Sequence, residues 1–439
     1  MTGRAAVLAA YLRARRRRFV DREALQVWQD ARVADLLARA PGRYPFYRGL
    51  APRQLADLPV IDKATVVSRF SDLNDRGLDL QACLAVARAA EADRDFTATL
   101  GGVSIGLSSG TSGRQSVFLT SPAERARWAG EILARVLPGG LLAGARVALV
   151  LRAGGPLYES VGSGRIAFRF FDLARPVDEH IDGMARFSPT VLAAPPPVLR
   201  ALAAAHAAGS LPIAPGRIFS VAEVLDPHDR AAVETSFGVR VDEIYQATEG
   251  FLGISCMHGR LHLNEDLLVI EREPLDSSGR RFVPVVTDLF RTSQAVIRWR
   301  LDDVLLASTD ACPCGSPTQV VDAVEGRCDD VLLLPRGGYA LAPFYADFVR
   351  GAVLSAPGVA DFRVVQPGPR TLRLAVEPTA AWSGARDSLV GAITAAGLTA
   401  PEILPATVPT RAPLEKLRRV VREFPAPSAG GAAPQQPRR

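Results

Sequence analysis

Four residues in the middle of the chain carry the atoms that bind zinc: Cys256, His262, Cys312 and Cys314. Thiolate sulfur and imidazole nitrogen are common zinc ligands, and four of them close a tetrahedral structural site. Cys312 and Cys314 flank a proline and precede a glycine, in a segment that favours a turn. The pattern predicts a structural zinc site. His258 is an alternative fourth ligand, and free buried thiols or a redox pair are the competing interpretations.

A second candidate site is a run of small residues that follows the apolar stretch 103–107 and precedes the strand-like stretch 116–120. The run consists of Ser108, Ser109, Gly110, Thr111, Ser112 and Gly113. Glycines let the backbone approach a polyphosphate closely, and amides and hydroxyls can donate to its oxygens. The lysine and the spacing of a Walker loop are both absent. A hairpin loop that contacts phosphate and a merely flexible turn are both compatible with the run.

Acidic residues end two of the predicted strands. Thr248 and Glu249 follow the apolar run 239–244, and Asp302 and Asp303 follow the run 295–300. A carboxylate at the end of a strand is suited to Mg²⁺ that is bound to phosphates, because this ion takes one or two protein carboxylates and keeps several waters. A carboxylate can also accept hydrogen bonds from ribose hydroxyls. For Glu249, the alternative is an ordinary solvated loop residue.

Lysine is rare in this chain, and its rarity makes each lysine a candidate for chemistry. Lys63 and Lys416 are the two lysines among 52 basic residues, and the other 50 are arginines. A compact ammonium can sit between an acid and a phosphate where a planar guanidinium fits poorly. For Lys63, which follows Asp62, a polar pair at a helix start is the competing interpretation.

The pattern of elements around these residues predicts an α/β fold. Helical periodicity over residues 1–40 stops at Pro41. From residue 100, short β-rich runs alternate with helices, which is typical of a sheet covered by helices. A β-rich subdomain follows at 261–306, and a small α+β unit begins after residue 329. We therefore predict a large N-terminal domain (1–329, with a helical lead-in over 1–60), a C-terminal domain (330–424) and a disordered tail (425–439).

Charge and composition exclude several classes of function. The net charge of +6 matches six arginines in residues 1–20, so the remainder of the chain is about neutral. We therefore expect no nucleic-acid partner, and we interpret the basic first helix as a solvated face; contact with a membrane or RNA is the alternative. No apolar run reaches the ~18 residues of a membrane span. Five cysteines in so long a chain indicate a reducing, cytoplasmic compartment.

Taken in order, these segments resemble the adenylate-forming superfamily, most closely its phenylacetate–coenzyme A ligase branch. The resemblance runs from about Leu58 to Arg422 and also includes Ala222-Glu223, the motif Leu261–Asp266, Gly326–Asp330 and the residues around Lys416. It implies a large N-terminal domain and a mobile C-terminal lid, with ATP and Mg²⁺ as cofactors. Many superfamily members continue the Ser108–Gly113 loop with Pro-Lys, where this chain has Arg114-Gln115. Neutralisation of phosphate charge then depends more on Mg²⁺ and on distant basic groups.

The resemblance also implies a role for each matched residue. The Ser108–Gly113 loop would contact the phosphates, and Thr248 and Glu249 would serve phosphate and Mg²⁺. Lys416 would be catalytic, between the acid and the α-phosphate. Adenine would lie against Ala222, Glu223, Tyr245 and Gln246. Asp303 would bind ribose, Arg327 would contact ribose or phosphate, and Asp329 or Asp330 would lie at the hinge. Some members of the branch carry a structural zinc site.

The branch does not fix the substrate. The closest motifs resemble a subgroup that includes ATP-dependent diazotases of secondary metabolism, which implies nitrite as the activated acid and an aryl amine as the attacking partner. The alternatives are an aryl carboxylate that is passed to coenzyme A, an amide-forming ligase, and an inactive nucleotide-binding module. Relatives in the branch are often homodimers, which we extend to this chain as an expectation.

Overall fold

The structure is a computed structural model that describes residues 3–107, 116–137, 139–152, 165–337, 340–409 and 418–425. The described chain divides into two compact units, and the division falls between Val324 and Glu325. Among the described residues, no helix combines the length and the apolar character that crossing a membrane requires.

Helix starts follow local capping chemistry. Asp21, Asp62 and Asp79 each accept a hydrogen bond from a first-turn backbone N–H, and Ser121 forms a capping box with Glu124. The helices are α1 (Gly3–Arg16), α2 (Arg22–Arg43), α3 (Lys63–Ser68), α4 (Leu80–Asp93), α5 (Pro122–Val136), α6 (Ile181–Phe187), α7 (Pro196–Ala207), α8 (Pro227–Phe237), α9 (Ala346–Leu354) and α10 (Trp382–Ala395). Short 3₁₀ turns cover Pro45–Tyr47, Leu55–Asp57, Phe70–Leu73, Val177–His180, Cys328–Asp330 and Thr379–Ala381.

The first unit is built on one large mixed sheet and a small antiparallel one. Its strands are β1 (Thr99–Leu100), β2 (Val103–Leu107), β3 (Val117–Thr120), β4 (Ala145–Leu151), β5 (Ile166–Asp172), β6 (Val191–Ala194), β7 (Arg217–Val221), β8 (Val241–Ala247), β9 (Gly250–Ser255), β10 (Leu261–Leu263), β11 (Leu268–Pro274), β12 (Arg281–Asp288), β13 (Trp299–Arg300), β14 (Asp303–Ala307) and β15 (Val320–Arg327). The small sheet has the order β1-β2-β3. The large sheet has the order β5-β4-β6-β7-β8-β9-β10-β15-β14-β12-β11, and β13 pairs with β12.

The relative direction of neighbouring strands changes within the large sheet. Strands β5, β4, β6, β7 and β8 are parallel, whereas β8, β9, β10 and β15 pair antiparallel. Core residues cover both faces of the central parallel strands, as is typical of parallel sheets, while the edge strand β5 is partly exposed. One face packs on α6, α7 and α8 through Leu192, Leu199 and Val233, and Phe219 faces the larger core that also contains residues of α1, α2 and α5.

The second unit is a small α+β assembly with its own core. Its strands are β16 (Leu332–Pro335), β17 (Leu341–Phe344), β18 (Asp361–Gly368), β19 (Thr371–Glu377), β20 (Glu402–Ala406) and β21 (Val420–Arg422). The first two strands form a hairpin, and the other four form a sheet of order β20-β19-β18-β21. Helices α9 and α10 cover this core with Val349, Val353 and Leu389, all of which are buried.

The mixed α/β fold class is confirmed, while three local predictions were wrong. The predicted helical stretch 1–40 is interrupted between Arg16 and Arg22, because Asp21 caps the start of a new helix. Helix α2 includes Pro41 and ends at Arg43. The proline removes only its own amide donor, and the last turn is still closed by the Tyr44 amide, which donates to the Ala40 carbonyl. The acids at 302–303 do not end a strand. Asp303 begins β14, after β13 has ended at Arg300. The predicted tail from residue 425 lies almost wholly outside the described residues.

Candidate active site and metal centre

The turn Thr248–Glu249 joins β8 to β9 at the carboxyl end of the parallel strands. The parallel strands end here because β9 turns back antiparallel along β8, with a register shift between Tyr245 and Gln246. Ligands of open α/β sheets bind at the carboxyl ends of the strands, where the strand order or direction changes. The sequence prediction of Thr248 and Glu249 at the mouth of a sheet therefore agrees with their place in the fold.

Two motifs that are 58 residues apart meet beside this turn. The Tyr245 hydroxyl donates a hydrogen bond of 2.7 Å to Oδ2 of Asp303. Tyr245 lies on β8 and Asp303 begins β14, so strands from both parts of the large sheet supply the pair. An aromatic ring and a carboxylate held together offer a flat apolar surface beside a hydrogen-bond acceptor.

The adjacent strand β7 ends in a backbone conformation that is unusual for its residue. Ala222 has φ +69°, the left-handed region that a non-glycine residue seldom occupies. The amide of Glu223 then donates to the carbonyl of Val221 at 2.9 Å, which closes a tight turn. Because β7 pairs with β8 in parallel, Ala222 and Glu223 emerge at the same sheet edge as Tyr245. Such local strain concentrates at ligand sites.

The Glu249 carboxyl lies in an environment that favours its neutral form. Burial raises the pKa of Glu249 above its ordinary value, and the negative charge of Asp303 acts in the same direction. Hydrogen bonds within the turn and the positive charge of Arg291 lower the pKa in part. A divalent cation would therefore relieve an unfavourable charge here, which agrees with the donor chemistry of a magnesium site.

The turn itself is held by a residue that the sequence analysis did not single out. Arg291 donates from Nη1 to the carbonyl of Thr248 at 2.6 Å and from Nη2 to the carbonyl of Leu119 at 3.0 Å. Both partners are backbone atoms of distant segments, and an arginine among fifty has no local pattern that marks it.

The Ser108–Gly113 loop lies outside the described residues, but its two flanks are described. Strands β2 and β3 pair antiparallel with Leu107 opposite Val117, which agrees with the predicted hairpin. Gly106 lies on β2 beneath the Phe118 ring, and a Cβ at this position would come within 2.2 Å of that ring. A side chain at residue 106 would therefore displace the Phe118 ring from its place over β2.

Lys416 also lies outside the described residues, and the segment that follows it is anchored. Arg418 forms ion pairs with Asp329 at 2.9 Å and with Asp330. Asp330 in turn accepts a hydrogen bond of 2.8 Å from the amide of Arg327. The predicted hinge residues are thus linked to each other and to the strand that follows Lys416.

The four predicted zinc ligands come together. Their ligand atoms all lie within 4.8 Å of one another. Cys256 Sγ is 3.6 Å from Cys312 Sγ, and Cys314 Sγ is 3.4 Å from Nε2 of His262. A tetrahedron with zinc–sulfur bonds of about 2.3 Å and a zinc–nitrogen bond of about 2.0 Å has edges of roughly 3.5–3.8 Å. The two shortest contacts are therefore close to these edges, and the four atoms as a group, within 4.8 Å of one another, could close around a zinc ion with small side-chain shifts. His258 is not part of this cluster.

The surroundings of the cluster orient its ligands. His262 Nδ1 lies 2.9 Å from Oγ1 of Thr318, which leaves Nε2 directed at the sulfurs. Backbone amides of His258 and Ser316 donate to the sulfurs of Cys256 and Cys314 at 3.3 and 3.5 Å. Burial lowers the pKa of His262, which favours the neutral imidazole that a metal needs. All four ligands are supplied by the protein, as in a closed structural site.

Two other sequence motifs have structural positions. Lys63 is the first residue of α3, and Asp62 before it caps the helix by accepting from the Thr65 amide at 2.8 Å. Glu265 and Asp266 of the motif Leu261–Asp266 pair with Arg22 and Arg17 of the N-terminal segment. These contacts give residues of both motifs a role in holding the fold together.

The fold is shared with solved enzyme structures. A 2-hydroxyisobutyryl-CoA ligase in complex with 2-HIB-AMP matches with a TM-score of 0.65 and 19% identity over 91% of this chain and 90% of that chain. The amide bond synthetase McbA from Marinactinospora thermotolerans matches with a TM-score of 0.52 and 14% identity over 71% and 66% of the two chains. The anthranilate CoA ligase AuaEII in complex with anthranoyl-AMP matches with a TM-score of 0.50 and 14% identity over 72% and 66%.

No protein-family model and no curated protein matches the sequence. At identities below 20%, the structural likeness establishes the fold and leaves the activity to be argued from the site.

Proposed function

We propose that this protein is an ATP-dependent adenylate-forming enzyme, which activates a small acid as its anhydride with AMP. The hydrogen bond between Tyr245 and Asp303 carries the proposal, since it joins two motifs beside the Thr248–Glu249 turn. The strained turn at Ala222 at the same sheet edge supports it further. A site for a nucleotide needs these three parts together: an apolar wall, a hydroxyl acceptor and a cation-binding carboxylate.

Each residue has a proposed role in binding ATP. Adenine lies against Ala222, Glu223, Tyr245 and Gln246, and the ribose hydroxyls donate to Asp303. Arg327 contacts ribose or phosphate. The phosphates bind the loop of Ser108, Ser109, Gly110, Thr111, Ser112 and Gly113, together with Thr248. Glu249 holds Mg²⁺, which when bound neutralises charge on the phosphate oxygens.

The proposed reaction transfers AMP to an oxygen of the acid. The oxygen attacks the α-phosphorus, the bond from this phosphorus to the β-phosphate oxygen breaks, and pyrophosphate leaves. Negative charge spreads over the phosphate oxygens in the transition state, so that catalysis consists mainly of positioning and charge stabilisation. Lys416 supplies a compact positive charge to the acid and the α-phosphate.

For the activated acid we propose nitrite. Attack by an aryl amine on the nitrogen of the nitrosyl–AMP anhydride breaks the bond from that nitrogen to the bridging oxygen, and AMP and a proton leave. The N-nitroso amine then takes up a proton and loses water, which leaves a diazonium (diazo) group. The sequence motifs that resemble the diazotase subgroup support this choice. The competing candidate is an aryl or other small carboxylate that is passed to coenzyme A, which the fold likeness to a CoA ligase over 91% of this chain favours. An amide-forming ligase is a variant of the same chemistry.

One assay separates these candidates. The enzyme is incubated with MgATP and a panel of aminobenzoates and aminocinnamates, with and without nitrite and with and without coenzyme A. Nitrite-dependent AMP release with a diazo product supports nitrite activation. AMP release that needs a carboxylate and coenzyme A, and is indifferent to nitrite, rejects it. Binding of ATP without turnover under any condition favours an inactive nucleotide-binding module.

We also propose that the Cys256, His262, Cys312 and Cys314 cluster binds one structural zinc ion. The convergence of three sulfurs and one imidazole nitrogen within 4.8 Å and the Thr318 contact to His262 support zinc over free thiols. All five cysteines are free among the described residues, which supports a reducing, cytoplasmic compartment. A homodimer remains a prediction that the elution volume on a calibrated column tests.

A further inference from the structure

The segment 288–294 begins at the last residue of β12. It has no role in the proposed chemistry, yet it contacts both the Thr248–Glu249 turn and β3. We propose that Arg291 is a positioning residue that holds the Thr248–Glu249 turn at a fixed distance from β3, the strand that follows the Ser108–Gly113 loop. The inference rests on the proposed function, because it matters for catalysis only if the turn holds Mg²⁺ and the loop before β3 binds the phosphates.

The guanidinium of Arg291 bridges the two segments directly. One terminal nitrogen donates to Thr248 and the other to Leu119, both at backbone carbonyls, at 2.6 and 3.0 Å. The planar group presents its donors in a rigid fork, so the spacing between the two carbonyls is limited by the spacing of the two terminal nitrogens. The carbon at the centre of the guanidinium also lies 5.9 Å from the centre of the Phe118 ring.

The segment that carries Arg291 is itself fixed to the rest of the unit. Oδ1 of Asp288 accepts from the amides of Phe290 and Arg291 at 2.8 and 2.9 Å. The Glu124 carboxylate on α5 accepts from the amides of Thr292 and Ser293 at 2.5 and 2.9 Å. Burial alone raises the pKa of Glu124, but these and further hydrogen bonds outweigh it and lower the pKa to about 2. The carboxylate is therefore charged at neutral pH and holds the segment on α5.

Side chains of the same segment also form hydrogen bonds with the backbone of β3. The amide of Leu119 donates to Oε1 of Gln294 at 3.0 Å, and Ser293 Oγ donates to the carbonyl of Leu119 at 3.3 Å. Both backbone groups of Leu119 therefore bond to residues 291–294. This set of contacts makes β3 and the segment one rigid support, from which Arg291 reaches the turn.

The consequence for catalysis follows from geometry. Thr248 directly precedes Glu249, so the carbonyl that Arg291 holds sets where the Glu249 side chain begins. A shift of about 1 Å in a reacting group costs on the order of 100-fold in rate. Loss of Arg291 should therefore lower kcat more than it raises the KM for ATP.

The test compares Arg291→Met and Arg291→Lys with a matched control, Arg217→Met. Arg217 is also half-buried, donates to the carbonyl of Val136 at 2.9 Å and pairs with Asp242, and it lies on β7 at the start of the strand. Asp242 keeps Arg240 as a partner in this control. The full-length wild type is first assayed for MgATP-dependent AMP formation. Absence of that activity rejects the proposed function and leaves hydrogen exchange to decide the positioning role.

We expect Arg291→Met to lower kcat by about 10–100-fold with a KM for ATP within about threefold of wild type, and Arg291→Lys to recover part of the loss. Amide hydrogen exchange at residues 247–250 should accelerate in Arg291→Met and stay unchanged in Arg217→Met. Wild-type kcat together with unchanged exchange at 247–250 would overturn the inference. If Arg291→Met does not fold, Arg291→Lys decides by the same two measurements.

Discussion

At the level of single residues, the burial of the Glu249 carboxyl leads us to expect that AMP formation depends on pH. Burial raises the pKa of Glu249 above its ordinary value of about 4.5, so the carboxylate that Mg²⁺ needs forms only above that raised pKa. We predict that AMP formation at limiting Mg²⁺ falls as the pH drops through an apparent pKa above 4.5, and that saturating Mg²⁺ moves this limb to lower pH. The pH profile of kcat/KM for ATP, recorded at limiting and at saturating Mg²⁺, measures the position of this acidic limb.

A neutral replacement provides the control for this limb. Glu249→Gln should lose the acidic limb and lower kcat by about 100-fold, whereas Glu179→Gln, which changes an exposed carboxylate, should leave the profile as in wild type. An unchanged acidic limb in Glu249→Gln would assign it to another group.

Lys416 allows a test of why the chain has lysine at this position. The proposed role needs a compact ammonium, so Lys416→Ala and Lys416→Arg should both lower the rate of AMP formation, by about 100–1,000-fold for alanine. Circular dichroism and ATP binding should remain close to wild type. Pyrophosphate release at the wild-type rate in Lys416→Ala would remove the catalytic role.

Some of the site residues can be predicted from the sequence and others cannot, for a physical reason. Tyr245, Thr248 and Glu249 stand in one contiguous motif at a strand end, where order along the chain already indicates chemistry. Arg291 acts on carbonyls that are 43 and 172 residues away. A backbone carbonyl is the same for every residue type, so no partner in the sequence marks this contact.

At the scale of elements, α1 shows how the basic N-terminal segment is used. Val7, Ala10 and Tyr11 are buried, while Arg4, Arg13, Arg15 and Arg16 are exposed. Arg17, just after the helix, forms ion pairs with Glu131 of α5 and with Asp266. One face of the helix therefore packs on the protein and the other is solvated, as we interpreted it from the sequence.

The contact of α1 with α5 depends on a glycine. A Cβ at Gly130 would lie 2.6 Å from Ala10 Cβ and from the Tyr11 backbone nitrogen, and 2.8 Å from the Val7 carbonyl oxygen. We predict that Gly130→Ala lowers the free energy of unfolding by about 1–3 kcal/mol, although alanine is the better helix former. Denaturant unfolding measures the change.

Gly183 on α6 is the matched control in the same unit. Its nearest neighbours would be at ordinary contact distance, with Arg169 Nη2 at 3.4 Å. Gly183→Ala should be neutral or stabilising by up to about 1 kcal/mol. Equal effects of the two substitutions would show that the close approach at Gly130 is not limiting.

The metal cluster joins elements that are distant in sequence. Cys256 follows β9, His262 lies on β10, and Cys312 and Cys314 lie between β14 and β15. We predict one zinc ion per chain by metal analysis, and its loss in Cys314→Ser together with a lower Tm. A bound ion stabilises by about 4 kcal/mol when its free concentration is about 1,000 times Kd.

Cys328→Ala changes a thiol outside the cluster and should keep its zinc. Protein purified without chelator that contains no zinc, or a Cys314→Ser variant that binds zinc as wild type does, would contradict a structural metal site.

At the scale of the whole molecule, the sequence predicts the α/β class because β-rich runs and helices alternate along 140–240 and β-rich runs follow. The register of the large sheet was beyond such reasoning. The strand β15 lies between β10 and β14, and the pairing of Leu261 with Val321 joins segments 60 residues apart. Pairings over such distances depend on the packing of the whole sheet, which local periodicity does not contain.

In the proposed reaction, an oxygen of a small acid attacks the α-phosphorus of ATP. The most direct test supplies the enzyme with MgATP and an acid, nitrite or a carboxylate, whose oxygens carry a heavy isotope, together with the amine or coenzyme A that completes turnover. Mass spectrometry then locates the label. We predict one labelled oxygen in AMP and none in pyrophosphate, because the bridging oxygen stays with AMP when the amine or coenzyme A attacks the anhydride. Label in inorganic phosphate with ADP as the product, or turnover that leaves AMP unlabelled, would contradict it.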